Sequence, residues 1–383
     1  MDLNLVLDTA QEIADSTVKN EAPTADKNAE WVGKSMQALK DSRLTGLVIP
    51  QKYGGMGHGL FALVRVCETL GTAYSSAGLC FGMHCVGSAV IAAKATEWQH
   101  QHYLDPIVKG RHITTLALSE AGTGSHFYIP ETGLTQTGAS YFLDGQKTFV
   151  TNGSHADSYV VSMAAVGETA APGEFSCAMV DLQAKGLSWG DQWEGLGMRG
   201  NSSRSMRLDH VPVKAEQILG DHGDQLWYVF NIIAPYFLTA MAGTYLGVAT
   251  AAFNEALKAV QHRTYNYNGT KLSQISIVQH KLGQLYEKLQ SAKALIHTAA
   301  KAGDQGAPDA LPLILCAKTV AANSAVDLVN EAMTLAGGIG YRENGVLGML
   351  LRDARAAHVM SPTTDLLYSW TGRSLLEQPL LTD

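Results

Sequence analysis

The sequence predicts an α+β chain, mainly α, with a β-domain set between two helical regions. Three observations carry that prediction. Apolar residues in the first 112 positions recur at helical spacing, those of 113–218 fall in short β-rich runs broken by Gly, Pro and Asp, and beyond 218 the helical period returns in long segments. The expected organisation is an N-terminal helical domain over 1–112, a central antiparallel β-domain over 113–218 and a C-terminal helical domain over 219–383.

In the first region, DLNLVLDTAQEIAD places Leu3, Val6, Leu7, Ala10 and Ile13 at intervals of three and four, the period of one helix face. GLFALVRVCETLG and VGSAVIAAKA predict further helices, and the glycine-rich YGGMGHG before them predicts a loop. The second region offers ITTLALSE, SYFLDGQKTFVTN, SYVVSMAAV, FSCAMVDL and SMRLDHVPV as strands. With no helical period between them, they suit a small antiparallel sandwich or barrel. The Asp144-Gly145 pair suits a tight hairpin turn. In the third, LSQISIVQHKLGQLYEKLQSAKALIHTAAKA keeps helical spacing over about eight turns. ALPLILCAKTVAANSAVDLVNEAMTLAGG predicts another long helix, ended by a Gly pair suited to a C-cap. No repeat of fixed period is present.

The 383 residues are 46% hydrophobic and only 16% charged, a well-buried globular composition. A net charge of −7 argues against a nucleic-acid binder, which would show a basic face. Cys67, Cys80, Cys85, Cys177 and Cys316 form no CxxC pair and read as reduced thiols of a cytoplasmic protein, with no metal site. MDLNLVLDTAQEIAD carries acids where a signal peptide needs a basic segment. From Gln225 to Asn254 the chain has no charge and is long enough to span a bilayer. Asn231, Pro235 and the absence of a close basic flank favour a fully buried helix in a helical core.

LALSEAGTGSHF joins a β-run to a turn of small residues, where backbone N–H groups can approach an anion or a flat ring. GGIGYRENG has the glycines of a nucleotide fingerprint but follows a helix instead of a strand, so that reading fails its own context. Taken in order, LALSEAGTGS, YFLDGQKTFVTNG, GLGMRGNSSRSMRLDHVPV and LAGGIGYRENGVLGMLLRDAR resemble the acyl-CoA dehydrogenase family over nearly the whole chain.

That resemblance implies a helical domain, a β-domain and a C-terminal four-helix bundle, with FAD between them, in a homotetramer or homodimer. It implies that Leu118 and Ser119 bond the flavin edge, that Thr151 bonds flavin N5, and that Phe149 stands in for a tryptophan packed on the ring. It places Ser125 near the FAD pyrophosphate and Arg263 at the pyrophosphate of a neighbouring subunit. YNYNGTKLSQ after Arg263 is longer than the family's usual loop. Gly337 and Gly338 match the glycines beside the adenosine, and Thr363 and Asp365 match residues that touch the cofactor after the catalytic position.

The chain departs from the family at that catalytic position. Removing a weakly acidic α-proton needs an aimed base, and a desolvated glutamate suits the task. The resemblance places that glutamate where this chain has Ser361, within Met360-Ser361-Pro362-Thr363. The other family location falls near Phe237, also without a carboxylate, and the arginine that many relatives carry beside it appears here as Leu238. A serine hydroxyl is too weak a base unless a neighbour takes its proton. His358 and Asp365 flank Ser361, while His126 and Glu131 follow the flavin loop. All four are candidates, each with a plain alternative as a capping, core or loop residue. Glu120, beside Ser119, is carried by family members without serving as the base. Three readings stand open. The first is an FAD-dependent oxidoreductase that desaturates an acyl thioester, on CoA or an acyl carrier protein, with a non-standard base. The second is a flavin oxidase or monooxygenase, and the third an inactive FAD-binding partner subunit. The electron acceptor is not specified.

Overall fold

The computed structural model describes residues 2–124, 126–138, 140–165, 175–221 and 224–381. Five main helices make the N-terminal part: α1 (Leu3–Ile13), α2 (Lys19–Asn28), α3 (Gly33–Asp41), α4 (Leu60–Ala73) and α5 (Ser75–Ala93). The short α6 (Glu97–Gln99) and α7 (Asp105–Val108) follow. Asp2 caps α1 by accepting from Asn4 N at 3.1 Å, and Val6, Ala10 and Ile13 are its buried face. In α5, Ser75 through Ala92 are all buried. A helix apolar all round belongs inside, and α5 lies between α9 and the edge strand β1.

The β-domain is one mixed sheet. Its strands are β1 (Thr114–Ala117), β2 (Gly133–Thr137), β3 (Ser140–Val150), β4 (Ser158–Ala165), β5 (Phe175–Asp181), β6 (Leu187–Trp189), β7 (Arg204–Val213) and β8 (Ile218–Leu219). They run in the order β6-β7-β3-β2-β4-β5-β8, and β1 pairs with β4. Most ladders are antiparallel, but β4 runs parallel to both β1 and β2. The predicted turn at Asp144-Gly145 is overturned. Both residues lie inside β3, where the register with β7 slips between Leu143 and Gly145. A Cβ on Gly145 would stand 2.5 Å from Thr132 Oγ1, so the glycine serves a close approach. The β2–β3 hairpin instead reverses at Gly138, in the left-handed region at φ 64°.

After α8 (Gln225–Tyr228), the long helices α9 (Ala234–His262), α10 (Ser276–Asp304) and α11 (Ala310–Ala336) pack with α12 (Val346–Val359) as the C-terminal bundle. α13 (Thr364–Leu375) lies on α11. The uncharged stretch is not fully buried, because Leu226, Trp227 and Asn231 face solvent; Leu238 through Ala249 are buried. Ser75–Ala93, Leu226–His262 and Ala310–Ile339 are each long and apolar enough to cross a membrane, yet their most apolar windows are 94%, 78% and 61% buried in the fold. Small residues bring α9 against α4: Cβ atoms on Gly243 and Gly247 would stand 2.4 Å from Val64 O and 2.5 Å from Glu68 O. The alanines and glycines of TAMAGTYLGVATAA therefore serve helix-to-helix contact.

The RDAR segment fastens the three parts together. Arg352 donates to both oxygens of Asp26 on α2, at 2.9 and 2.5 Å, and to Leu196 O at 3.1 Å. Asp353, fully buried, accepts from Ser75 Oγ at the start of α5 and from Met198 N at 2.7 Å, in the loop between β6 and β7. Burial raises the Asp353 carboxyl to about 6, against the opposing pull of those two donors.

Ionised Asp353 therefore costs roughly 3 kcal/mol above pH 6, and the cost is relieved as pH falls toward 4, where the folded state takes up a proton before the unfolded chain does. Asp353→Asn removes the titration. The stability of the wild type relative to this variant should rise by up to about 3 kcal/mol between pH 8 and pH 4, measured by urea unfolding across that range. A difference independent of pH would show that the carboxyl titrates normally.

Candidate active site

The glycine-rich turn after β1 is held from beneath by a buried ion pair. Lys147, on β3, has no exposed surface, and its Nζ lies 2.5 Å from Glu120 Oε1. It also donates to Ser162 Oγ on β4 at 2.8 Å and to Leu118 O at 3.4 Å. Glu120 accepts further from Glu131 N at 2.5 Å, Thr132 N at 3.1 Å and Thr132 Oγ1 at 2.6 Å. Burial raises the Glu120 carboxyl, but the Lys147 charge and these donors outweigh it and hold the group below the ordinary glutamate range. Leu118 and Ser119 stand half-buried at the top of this assembly, and Ser119 O accepts from Thr148 N at 2.7 Å. Ser125 lies outside the described residues.

Two strained segments meet beside it. Phe149, Asn152 and Ser154 hold φ of 54°, 59° and 64°, and Met198 and Ser202 hold 53° and 50°. Left-handed backbone costs about 1 kcal/mol or more at each such residue other than Asn152, and strain of this kind collects at functional sites. The segments are stitched by Asn152 N donating to Asn201 O and Gly153 N to Ser202 O, both at 3.0 Å. Asn152 also accepts from Trp31 Nε1 at 2.9 Å and donates to Cys80 O at 3.0 Å. Between these anchors Thr151 is buried, its Oγ1 3.4 Å from Ser203 Oγ. That long contact leaves the hydroxyl proton available to another acceptor. Phe149 is 65% exposed, with Trp193 edge-on at 6.0 Å. An aromatic so exposed on a strained backbone, next to a recessed hydroxyl, fits the face of a flat ring.

At the far end of the bundle, Arg263 caps α9, and Gly337 ends α11 in the left-handed region. A Cβ on Gly337 would stand 2.9 Å from Arg263 Nη1, so two predicted residues 74 positions apart (337 − 263) are neighbours. Gly338 has open space beside it. A cavity of about 820 Å³ adjoins them, lined by Lys258, His262, Ala336, Ile339, Gly340 and Arg342 among others. Exposed guanidinium and bare backbone beside a cavity suit a phosphate with an attached nucleoside. The residues of both regions fit FAD.

The turn after α12 carries Ser361, half-buried. Thr363 caps α13, its side chain accepting from Leu366 N at 3.4 Å. Asp365 is exposed in the first turn, so it supports the helix end by charge and is not the cap. His358 Nδ1 is 3.3 Å from Thr364 Oγ1. Burial, with Arg355 and Lys318 nearby, holds the imidazole below its ordinary range. Phe237 is half-buried and Leu238 fully buried, so the second family location is apolar. His126 is half-buried, edge-on to Tyr128 at 5.7 Å. Glu131 is exposed, with its carboxylate against Gly122. Sequence reasoning missed Lys147, Asp353 and the left-handed backbone of the 149–154 and 198–202 segments. Of these, only the KTFVTNG segment carried a signal, its threonine and glycine after an aromatic.

Lys147→Met leaves Glu120 buried without its partner and should cost about 3–5 kcal/mol, while Glu120→Gln combined with it should recover part of that loss. Flavin content after purification and urea unfolding read both effects. Thr151→Val keeps the shape and removes the hydroxyl, so it should perturb the bound-flavin spectrum or slow flavin reduction. Wild-type behaviour in both would remove Thr151 from the site.

Three sequence models of one family match the chain: the acyl-CoA dehydrogenase N-terminal domain over residues 2–111, the middle domain over 115–211 and the C-terminal domain over 239–376. The chain is 28% identical to a 3-(aryl)acrylate reductase of Clostridium sporogenes, over 97% of this chain and 98% of that protein. Among solved structures, butyryl-CoA dehydrogenase from Megasphaera elsdenii superposes with a TM-score of 0.91 at 23% identity, covering 98% of each chain. The prolyl acyl carrier protein oxidase AnaB gives 0.86 at 22%, covering 97% of this chain and 98% of that one. This chain belongs to the acyl-CoA dehydrogenase family of FAD-dependent oxidoreductases.

Proposed function

We propose that this oxidoreductase removes an α-proton and a β-hydride from an acyl thioester on CoA or a carrier protein, with His358 beside Ser361 standing where relatives keep a glutamate. FAD, when bound, supplies the two-electron acceptor. Leu118, Ser119, Thr151 and Phe149 would hold and cover its ring, with Thr363 and Asp365 beside it, and Ser125 would meet the pyrophosphate. Arg263, Gly337 and Gly338 would receive the pyrophosphate and adenosine of a neighbouring subunit's cofactor.

The observation that carries this reading is the His358–Thr364 contact, which bridges the end of α12 and the start of α13 with Ser361 enclosed between them. With Nδ1–H donating to Thr364 Oγ1, the tautomer this reading requires, Nε2 is the ring nitrogen that takes the proton. The lowered proton affinity keeps the ring neutral near pH 7, the form a base requires. Ser361 then orients the substrate and takes no proton itself. Exposed apolar side chains on the bundle, Tyr341 at 80% and Ile339 at 72% among them, support a homotetramer or homodimer. Five unpaired cysteines, four of them buried, support a cytoplasmic setting.

Anaerobic mixing of the purified flavoprotein with short, branched and aryl-substituted acyl-CoA esters, and with acyl carrier proteins, tests the reading. The flavin should bleach without NAD(P)H, and His358→Gln should slow that bleaching about 10²–10⁴-fold while Ser361→Ala has the smaller effect. Oxygen consumption with a substrate other than a thioester would replace the reading with the oxidase or monooxygenase. Full flavin occupancy without reduction by any substrate would favour a partner subunit.

A further inference from the structure

Lys318 lies in the first third of α11 with no exposed surface, and among the described residues no carboxylate is paired with it. Its Nζ donates to three main-chain carbonyls: Ala357 O at 2.7 Å, Pro362 O at 3.0 Å and Met360 O at 3.2 Å. Ala357 is in the last turn of α12, where carbonyls have no donor from the helix itself. Met360 and Pro362 are the residues on either side of Ser361. A lysine ammonium has three protons and no acceptor, so three converging carbonyls match its protonated form and no other side chain of that length. An apolar residue would pack these helices without the cost of a buried charge. The use of a lysine here therefore points to the carbonyls it gathers.

We propose that Lys318 is the positioning residue of the Ser361 turn, fixing by its three hydrogen bonds where Ser361 stands and where α13 begins. Thr363 and Thr364 lie on that first turn, so the cap of α13 and the partner of His358 are set by the same contacts. The catalytic meaning of the turn rests on the reading given above; the placement of the turn does not.

Burial pulls the Lys318 ammonium down to about 7. Around the turn, α12 contributes His358 and Arg355, α13 contributes Asp365, and α9 contributes Tyr245, whose phenol burial pushes up. Asp327 on α11 is engaged by Lys288 of α10. As pH rises through neutrality Lys318 loses a proton, and two donors then face three carbonyls.

Amide hydrogen exchange on the full-length flavoprotein, corrected for intrinsic rates at each pH, follows residues 361–367, and visible circular dichroism follows the flavin. In the wild type these amides should exchange about tenfold faster on the alkaline side of the transition, with a matching flavin change. Lys318→Met should show the fast, alkaline behaviour at every pH, and Lys318→Arg should restore part of the slow exchange. Wild-type pH dependence in Lys318→Met, or acceleration spread evenly over α9 to α11, would overturn the proposal. If Lys318→Met does not fold, the wild-type series decides alone, and exchange at 361–367 that ignores pH overturns it. A localised exchange change with an unmoved flavin signal would uphold Lys318 as the positioning residue and remove the turn from the cofactor site.

Discussion

Glu120 and Lys147 meet at a place where several pieces of backbone would otherwise slide past one another. β1 delivers the glycine-rich turn, β3 carries Lys147, β4 offers Ser162, and the segment returning to β2 donates Glu131 N and Thr132 N. Two opposite charges shut away from water attract strongly only when their remaining valences are met, and here the carboxylate has four donors. An apolar pair could fill the same volume, but it would not dictate direction. The ion pair sets the height and angle at which Leu118 and Ser119 leave the sheet.

The same logic recurs at longer range. Arg352 and Asp353 are adjacent on α12 but reach opposite ways, one to Asp26 on α2 and the other to Ser75 and Met198. The bundle, the N-terminal helices and the strained 198–202 segment are thereby drawn to one point, and 198–202 in turn bonds the 149–154 segment. Domains that merely packed apolar faces could shift by a fraction of an ångström at little cost. Directional bonds between buried polar groups do not permit that, and a site assembled from three domains needs them.

The layers of the fold were legible because each rests on a local period: three and four for the helices, short branched runs for the strands. The hairpin misplacement has the opposite cause. Asp-Gly is a local turn signal, whereas Gly145 answers to Thr132, which crowds it from a neighbouring strand. Lys147, Lys318 and Asp353 were illegible for the same reason, since their partners lie 27, 39–44 and 155–278 positions away and no nearby pattern marks them. The backbone of Phe149 hides differently: the left-handed conformation it adopts runs against its propensity, and only the assembled site holds it there. Ser361 stood out because the resemblance predicted an acid in its place.

What a hydroxyl in that place does follows from charge. A buried glutamate must be desolvated before it can act as a base at neutral pH, and the desolvation that strengthens it also makes it costly to keep ionised. A neutral imidazole carries no such burden, since burial favours the uncharged form that accepts the proton. The Lys318 ammonium reinforces this, because a nearby positive charge further disfavours imidazolium. A carboxylate at position 361 would cancel that charge across the turn. Serine leaves it standing while Lys318 is protonated, and under the proposed function that field favours the anion that develops as the α-proton leaves. On the proposed function, Ser361 and Lys318 form one arrangement, in which a histidine accepts the proton and the positive field is kept for the substrate.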